Sequence, residues 1–294
     1  MARPSSEDLI AATAGTLTGE SGLALDVDYV NAPGGYRELG VAPMHPPPGY
    51  SFGIGFSWTS RQVEALFRPD RFAGQLVRDL GDQVATFPEA WLGVLTDAAE
   101  AEVDVEVVIN SERVSPAEAP AVEEWRSAEF VCSRRFDRRP TRDELHLEDA
   151  LLAVGRSGLG LVLAGLSLEE IEPSPGSVTE GDTRAVTTTR YERSPLHRMR
   201  CINHFGWNCQ VCELDFEDFY GPLGASFIEV HHLTPVSALG GATEVDPLAD
   251  LIPLCSNCHS MVHRENPPVT PDELRRAIGR LDRKAASEAG GIIQ

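Results

Sequence analysis

Positive charge is what this 294-residue chain lacks: 25 basic residues stand against 45 acidic ones, a net −20, and Lys284 is the lone lysine beside 24 arginines. A balance of that sign excludes passive, sequence-blind adhesion to nucleic acid, which depends on neutralising phosphates. It leaves room for locally basic surfaces and a bound cation. The deficit is uneven, with about −16 on residues 1–184 and about −4 on residues 185–294. Long apolar runs are missing as well. No stretch approaches the roughly 18 residues of a membrane helix, and the opening MARPSSEDLIAATAG lacks the continuous apolar segment of a signal peptide. Six cysteines in a chain this long, four of them in two CxxC pairs, do not make a disulfide scaffold. The expectation is a cytoplasmic protein with no membrane partner. Its 42% hydrophobic and 24% charged residues suit a globular chain, for which the length makes two domains the natural number.

There is no internal repeat. The clearest shift in composition is Glu172–Thr189, EPSPGSVTEGDTRAVTTT, which has no periodic apolar pattern and reads as a connection. Upstream, Arg61–Leu80 has apolar residues at helical spacing, with Pro69 expected to split it into two helices. Pro88–Ala99 reads as a helix, Val103–Ile109 and Ala128–Phe136 as strands, and Asp143–Leu166 as a helix weakened by Gly155, Gly158 and Gly160. The fold expectation is therefore α+β: a mixed N-terminal domain over 1–170, a linker over 171–189 and a smaller C-terminal domain over 190–294.

Downstream signals are sharper. Ser194 and Pro195 make an N-cap and first turn, and LHRMRCINHF runs on to Gly206, a helix stop. Cys209 and Cys212 form a CxxC knuckle, SFIEVHHL alternates as a strand, and LIPLCSNCHSMVH leads into a short helix holding Cys255 and Cys258. Two short cysteine pairs separated by a long loop suit tetrahedral thiolate coordination of a structural Zn²⁺, each pair supplying two corners. The plainer alternative is buried or redox cysteines, but a thioredoxin-like motif shows one such pair, not two. Cys132 and Cys201 read as small apolar residues.

The histidines form a second set. His231 and His232 are adjacent on the strand, so their side chains point to opposite sides; one is placed to ligate a metal while the other faces a substrate. His259 and His263, four apart on one helix face, can grip one ion. A lone histidine is usually just a hydrogen-bonded polar residue. Four within 33 residues, of eight in the chain, beside a cysteine knuckle point to a catalytic metal.

In combination, RYERSP, CQVC, YGPLG, FIEVHHL, DPLADLIPLC and SNCHSMVHR over residues 190–264 resemble the HNH (ββα-metal) endonucleases, in the variety found in McrA-like enzymes that restrict modified DNA. The resemblance covers about a quarter of the chain. It implies that His231, His259 and His263 hold the catalytic ion, that His232 is the general base, and that the cysteines are structural. The family's middle residue is Asn; Asp250, nine residues before His259, holds that place by spacing, and Asn257 is the other candidate. Asp250 reads equally well as a helix or loop cap. Three imidazoles favour Ni²⁺, Mn²⁺ or Zn²⁺ over the Mg²⁺ that a carboxylate would suit, and leave the choice among the four open.

The resemblance makes the expected activity metal-dependent hydrolysis of DNA phosphodiesters, by a restriction or defence enzyme acting on DNA with methylated or hydroxymethylated cytosine. The expected partner is double-stranded DNA, and cutting both strands suggests a homodimer. Arg190, Arg193, Arg198 and Arg200 are candidate phosphate contacts, as are Arg134, Arg135, Arg138, Arg139 and Arg142, the densest basic cluster, whose alternative is a solvated surface paired with nearby acids. Gly49–Trp58, with Tyr50, Phe52, Phe56 and Trp58, could stack a flipped base but more often is a strand burying its aromatics. Two other functions compete: a zinc-stabilised DNA-binding protein with an inactive site, and a phage or mobile-element nuclease without modification sensing.

Overall fold

The structure is a computed structural model and describes residues 5–31, 37–44, 46, 50–136, 144–166, 195–233, 245–265 and 268–279. The chain divides into two compact units, Met1–Leu196 and His197–Gln294. Among the described residues no helix is long and apolar enough to cross a membrane.

The first unit opens with α1 (Ser6–Ser21), set by a capping box: Asp8 N donates to Ser5 Oγ at 3.1 Å and Ser5 N to Asp8 Oδ2 at 2.8 Å. Strands β1 (Leu25–Asn31), β2 (Arg37–Pro43), β3 (Phe52–Trp58) and β4 (Gln62–Pro69) follow. After helices α2 (Gly74–Thr86) and α3 (Pro88–Glu100) come β5 (Asp104–Ile109), β6 (Glu112–Val114) and β7 (Ala128–Arg135). The seven strands form one antiparallel sheet in the order β1-β2-β3-β4-β7-β5-β6. Helix α4 (Glu144–Ala164) packs on β3, β4 and β7 and against α1 and α3. A Cβ at Gly155 would come within 3.2 Å of Leu17 and 3.3 Å of Phe56, so the glycine that weakens the helix lets it lie close to the sheet. The aromatic centre of the core is Phe67 stacked on Phe130 at 4.8 Å, with Trp91 edge-on to Phe130 at 5.3 Å and to Trp125 at 6.0 Å.

The α+β expectation holds, and α3, β5, β7 and α4 lie where their patterns place them. Arg61–Leu80 is different. Its first half is not a helix but β4, and the helix starts only at Gly74. Val63, Ala65 and Phe67 are fully buried and alternate with more exposed neighbours. Over so short a run an alternating pattern also satisfies helical spacing, and pairing with β3 and β7 on both sides settles the matter. Pro69 ends the strand rather than splitting a helix. The aromatics of β3 also take the plainer course: Phe52 and Phe56 are buried, and the Tyr50 hydroxyl donates to Asp79. Cys132 is buried in β7, and burial pushes its thiol up to about 12. That is the behaviour of a core residue.

The second unit takes in all but the first two residues of α5 (Pro195–Phe205), which ends on Gly206 at φ +78°, whose N–H returns to Ile202 O at 2.8 Å. Ser194, its expected cap, lies outside the described residues. Then come α6 (Phe216–Tyr220), β8 (Glu229–His232), β9 (Leu251–Leu254), α7 (Ser256–Val262) and α8 (271–279). Strands β8 and β9 form a two-stranded antiparallel ribbon. Its core is small: Ile202, Val211, Ile228, Val230, Leu251, Leu254 and Val262, with four buried cysteines among them.

One polar contact in the first unit carries a testable cost. Glu20 of α1 is 1% exposed and accepts from Arg156 Nε of α4 at 2.9 Å and from its Nη2. Arg156→Ala strands that carboxylate, and urea melts should show a loss of about 3 kcal/mol. A loss under about 1 kcal/mol would mean that the pair contributes no more than a surface bridge.

Candidate metal centre

Two side-chain clusters lie in the second unit. In the first, the sulfurs of Cys209, Cys212, Cys255 and Cys258 lie within 4.8 Å of one another, and no cysteine is in a disulfide. The sequence builds this locally. Glu213 adopts φ +63° and returns its N–H to Cys209 O at 2.8 Å, while Cys209 N donates to Leu214 O at 3.0 Å, closing the knuckle. Gln210 N donates to Pro253 O at 3.0 Å, tying the knuckle to β9. Cys255 is the N-cap of α7, its sulfur accepting from Cys258 N at 3.4 Å. Cys212 and Cys255 sulfurs are 3.7 Å apart. Tetrahedral Zn–S bonds of 2.3 Å put sulfurs about 3.8 Å apart, so the set fits zinc.

The electrostatics agree with that fit. Burial opposes ionisation of Cys209, but backbone N–H groups of Cys255, Cys212 and Val211 outweigh it and hold the thiol below its usual value. Burial pushes Cys255 up to about 11 and Cys258 higher still, with the Cys209 charge adding to both. A divalent cation is what lets four crowded sulfurs all be thiolates.

The second cluster is His231, His259 and His263, whose ligand nitrogens also lie within 4.8 Å of one another. His231 is 4% exposed on β8, and its ring is 5.3 Å from that of His259 and 4.9 Å from that of His263; the helical pair is 5.0 Å apart. His231 Nδ1 and His259 Nε2 are buried and make no hydrogen bond. Imidazole nitrogens converging with buried lone pairs fit a transition-metal cation. His232, the next residue on β8, is half-buried and by strand alternation turns to the other face.

Sequence reasoning overlooked Glu229. Two residues before His231 and so on the same face of β8, its Oε2 lies 2.5 Å from His259 Nδ1, and its Oε1 accepts from Ser256 Oγ at 2.6 Å. The available signal was the period of two in EVHH, which puts an acid beside a ligand.

The other candidates fall in various places. The Asp250 carboxylate accepts from Asp246 N at 2.9 Å, making a turn, and its carbonyl accepts from Leu233 N at 2.8 Å, holding the residue after His232. Asn257 is exposed, and two residues from His259 it projects from a different side of α7. Arg198 donates to Ile228 O at 3.1 Å, anchoring α5 to the start of β8, and Arg200 is half-buried. Arg134 pairs with Glu102 at 3.0 Å, and Arg135 is exposed. Arg138, Arg139, Arg142, Arg190 and Arg193 lie outside the described residues.

Residues 209–265 match the family model described as HNH endonuclease. The C-terminal unit thus carries an HNH domain, and both clusters fall within the matched segment. No curated protein and no solved structure matches the chain.

With so small an apolar core, this unit is expected to depend on a metal in the cysteine site for cohesion. Strong chelation, or Cys258→Ala, should abolish hydrogen-exchange protection in peptides from 197–265 while peptides from β3, β4 and β7 stay protected. Retained protection around α7 after complete zinc removal would rule out that dependence.

Proposed function

We propose that this protein is a metal-dependent DNA endonuclease. The observation carrying the proposal is the convergence of His231, His259 and His263 within an HNH domain, with His232 on the opposite face of the same strand. In this reading the three histidines hold one divalent cation, Mg²⁺, Mn²⁺, Ni²⁺ or Zn²⁺, and the four cysteines hold zinc. The bound cation supplies Lewis-acid stabilisation of charge on the phosphate and the leaving oxygen.

His232 takes the proton of the attacking water. An imidazole ordinarily titrates near 6.5, which suits it to proton transfer at neutral pH. By the resemblance, in-line attack leaves 5′-phosphate and 3′-hydroxyl ends. Asp250 acts on the segment after His232 through its carbonyl, and Asn257 is left as the alternative for the family's middle position.

Residues 1–170 are read as the recognition domain for modified DNA, 171–189 as a linker and 190–294 as the nuclease. What supports a reader is a cavity of about 360 Å³ in the sheet unit, lined among others by Tyr29, Phe52, Arg68, Asp28 and Asp70. Tyr29 presents an exposed aromatic ring there beside the carboxylates of Asp28 and Asp70 and beside Arg68, whose guanidinium also pairs with Glu129; aromatic and polar groups together are what hold an extruded base. In this reading the enzyme is a restriction or defence nuclease.

Purified protein with matched plasmids carrying cytosine, 5-methylcytosine or 5-hydroxymethylcytosine, and each cation in turn, tests both halves. Cleavage of modified DNA alone is expected, and His232→Ala should slow it at least ~100-fold with both metals still bound. Equal cutting of all three plasmids removes the modification sensor and favours a nuclease of mobile DNA. No cutting with any cation, the fold and zinc being intact, favours a DNA-binding protein.

A further inference from the structure

We propose that Glu229 is a positioning residue for the histidine cluster, fixing the tautomer and orientation of His259 toward the ion. The inference deepens the reading of His231, His259 and His263 as one ion site and rests on it. Glu229 Oε2 lies 2.5 Å from His259 Nδ1, and the carboxylate is only 13% exposed. A carboxylate accepts only, so Nδ1 carries the proton and Nε2 is the nitrogen left to bind a cation. The second oxygen, Oε1, accepts from Ser256 Oγ at 2.6 Å, so the carboxylate is held from the first residue of α7 while it orients a ring one turn further along.

The arrangement has a reason in the local geometry. Helix α7 is only seven residues long, and His259 is half-buried at its middle. Rotation about its side-chain bonds would otherwise swing the ring away from His231 and His263. Glu229 sits on the strand that carries His231, so one element presents a ligand and also orients the ligand opposite. The negative charge makes the His259 ring a stronger donor.

The test uses the full chain with zinc in the cysteine site, titrated calorimetrically with Co²⁺ or Ni²⁺. Wild type should take up one further ion per chain. Glu229→Gln, which keeps the shape and an acceptor oxygen but loses the charge, should weaken that uptake roughly tenfold, and Glu229→Ala up to about 100-fold. Long-range ¹H–¹⁵N spectra of protein lacking the second ion should show His259 protonated at Nδ1, with the Nε2-protonated form appearing in Glu229→Ala. Ser256→Ala leaves the carboxylate on the ring and should change affinity less than about threefold. If Glu229→Ala fails to fold, Glu229→Gln decides the question. Equal affinity and an unchanged tautomer in the Glu229 variants would overturn the positioning role alone, as would a Ser256→Ala loss as large as that of Glu229→Ala. A wild-type chain that takes up no second ion would overturn the ion site and this inference with it.

Discussion

Cys255 stands where the organisation of the second unit is decided. It follows the last residue of β9, caps α7 with its sulfur, accepts His259 N on its carbonyl at 2.8 Å and lies 3.7 Å from the sulfur of Cys212. A cation held by these thiolates would fix the phase and starting point of the helix. Once the phase is fixed, His259 and His263 must emerge on the side that faces His231, because the helix repeats nearly every four residues. In this way a metal at the cysteine cluster would set the geometry of the histidine cluster, although the two share no ligand. A four-residue strand and a seven-residue helix have too little apolar surface to hold three imidazoles this close by packing alone.

That dependence also explains which parts of the structure were legible in the sequence. Ligand spacings are local: CxxC and an i, i+4 histidine pair specify geometry within one turn, and Gly206 marks a helix end wherever the rest of the chain lies. Nothing comparable marks β4. Its Val63, Ala65 and Phe67 become a strand because β3 and β7, the latter more than 60 residues further on, offer edges on both sides. The seven-stranded order, with β7 inserted between β4 and β5, is of the same long-range kind. Glu229 lies between these cases. Its shared face with His231 was readable from alternation, but its contact with His259 needs the β8–α7 packing that only the folded unit supplies. Arg198, a candidate phosphate contact by sequence, also bonds the backbone of Ile228, a contact that no local pattern announces.

The charge balance bears on how such a chain could act on DNA. A net −20 repels a polyanion at a distance, and salt screens that repulsion beyond about 8 Å under physiological conditions. At the histidine cluster Glu229 is turned inward onto His259 and Ser256, so its charge is engaged within the unit. If His231, His259 and His263 hold a divalent cation, a donor set without a ligating carboxylate leaves that cation more of its charge. On the proposed nuclease reading, a cation held there would place positive charge where a phosphate binds in an otherwise acidic protein. The same argument makes a carboxylate at the position of His231 a poorer choice here than in a chain with basic surroundings, because it would add to a repulsion that the rest of this sequence already supplies.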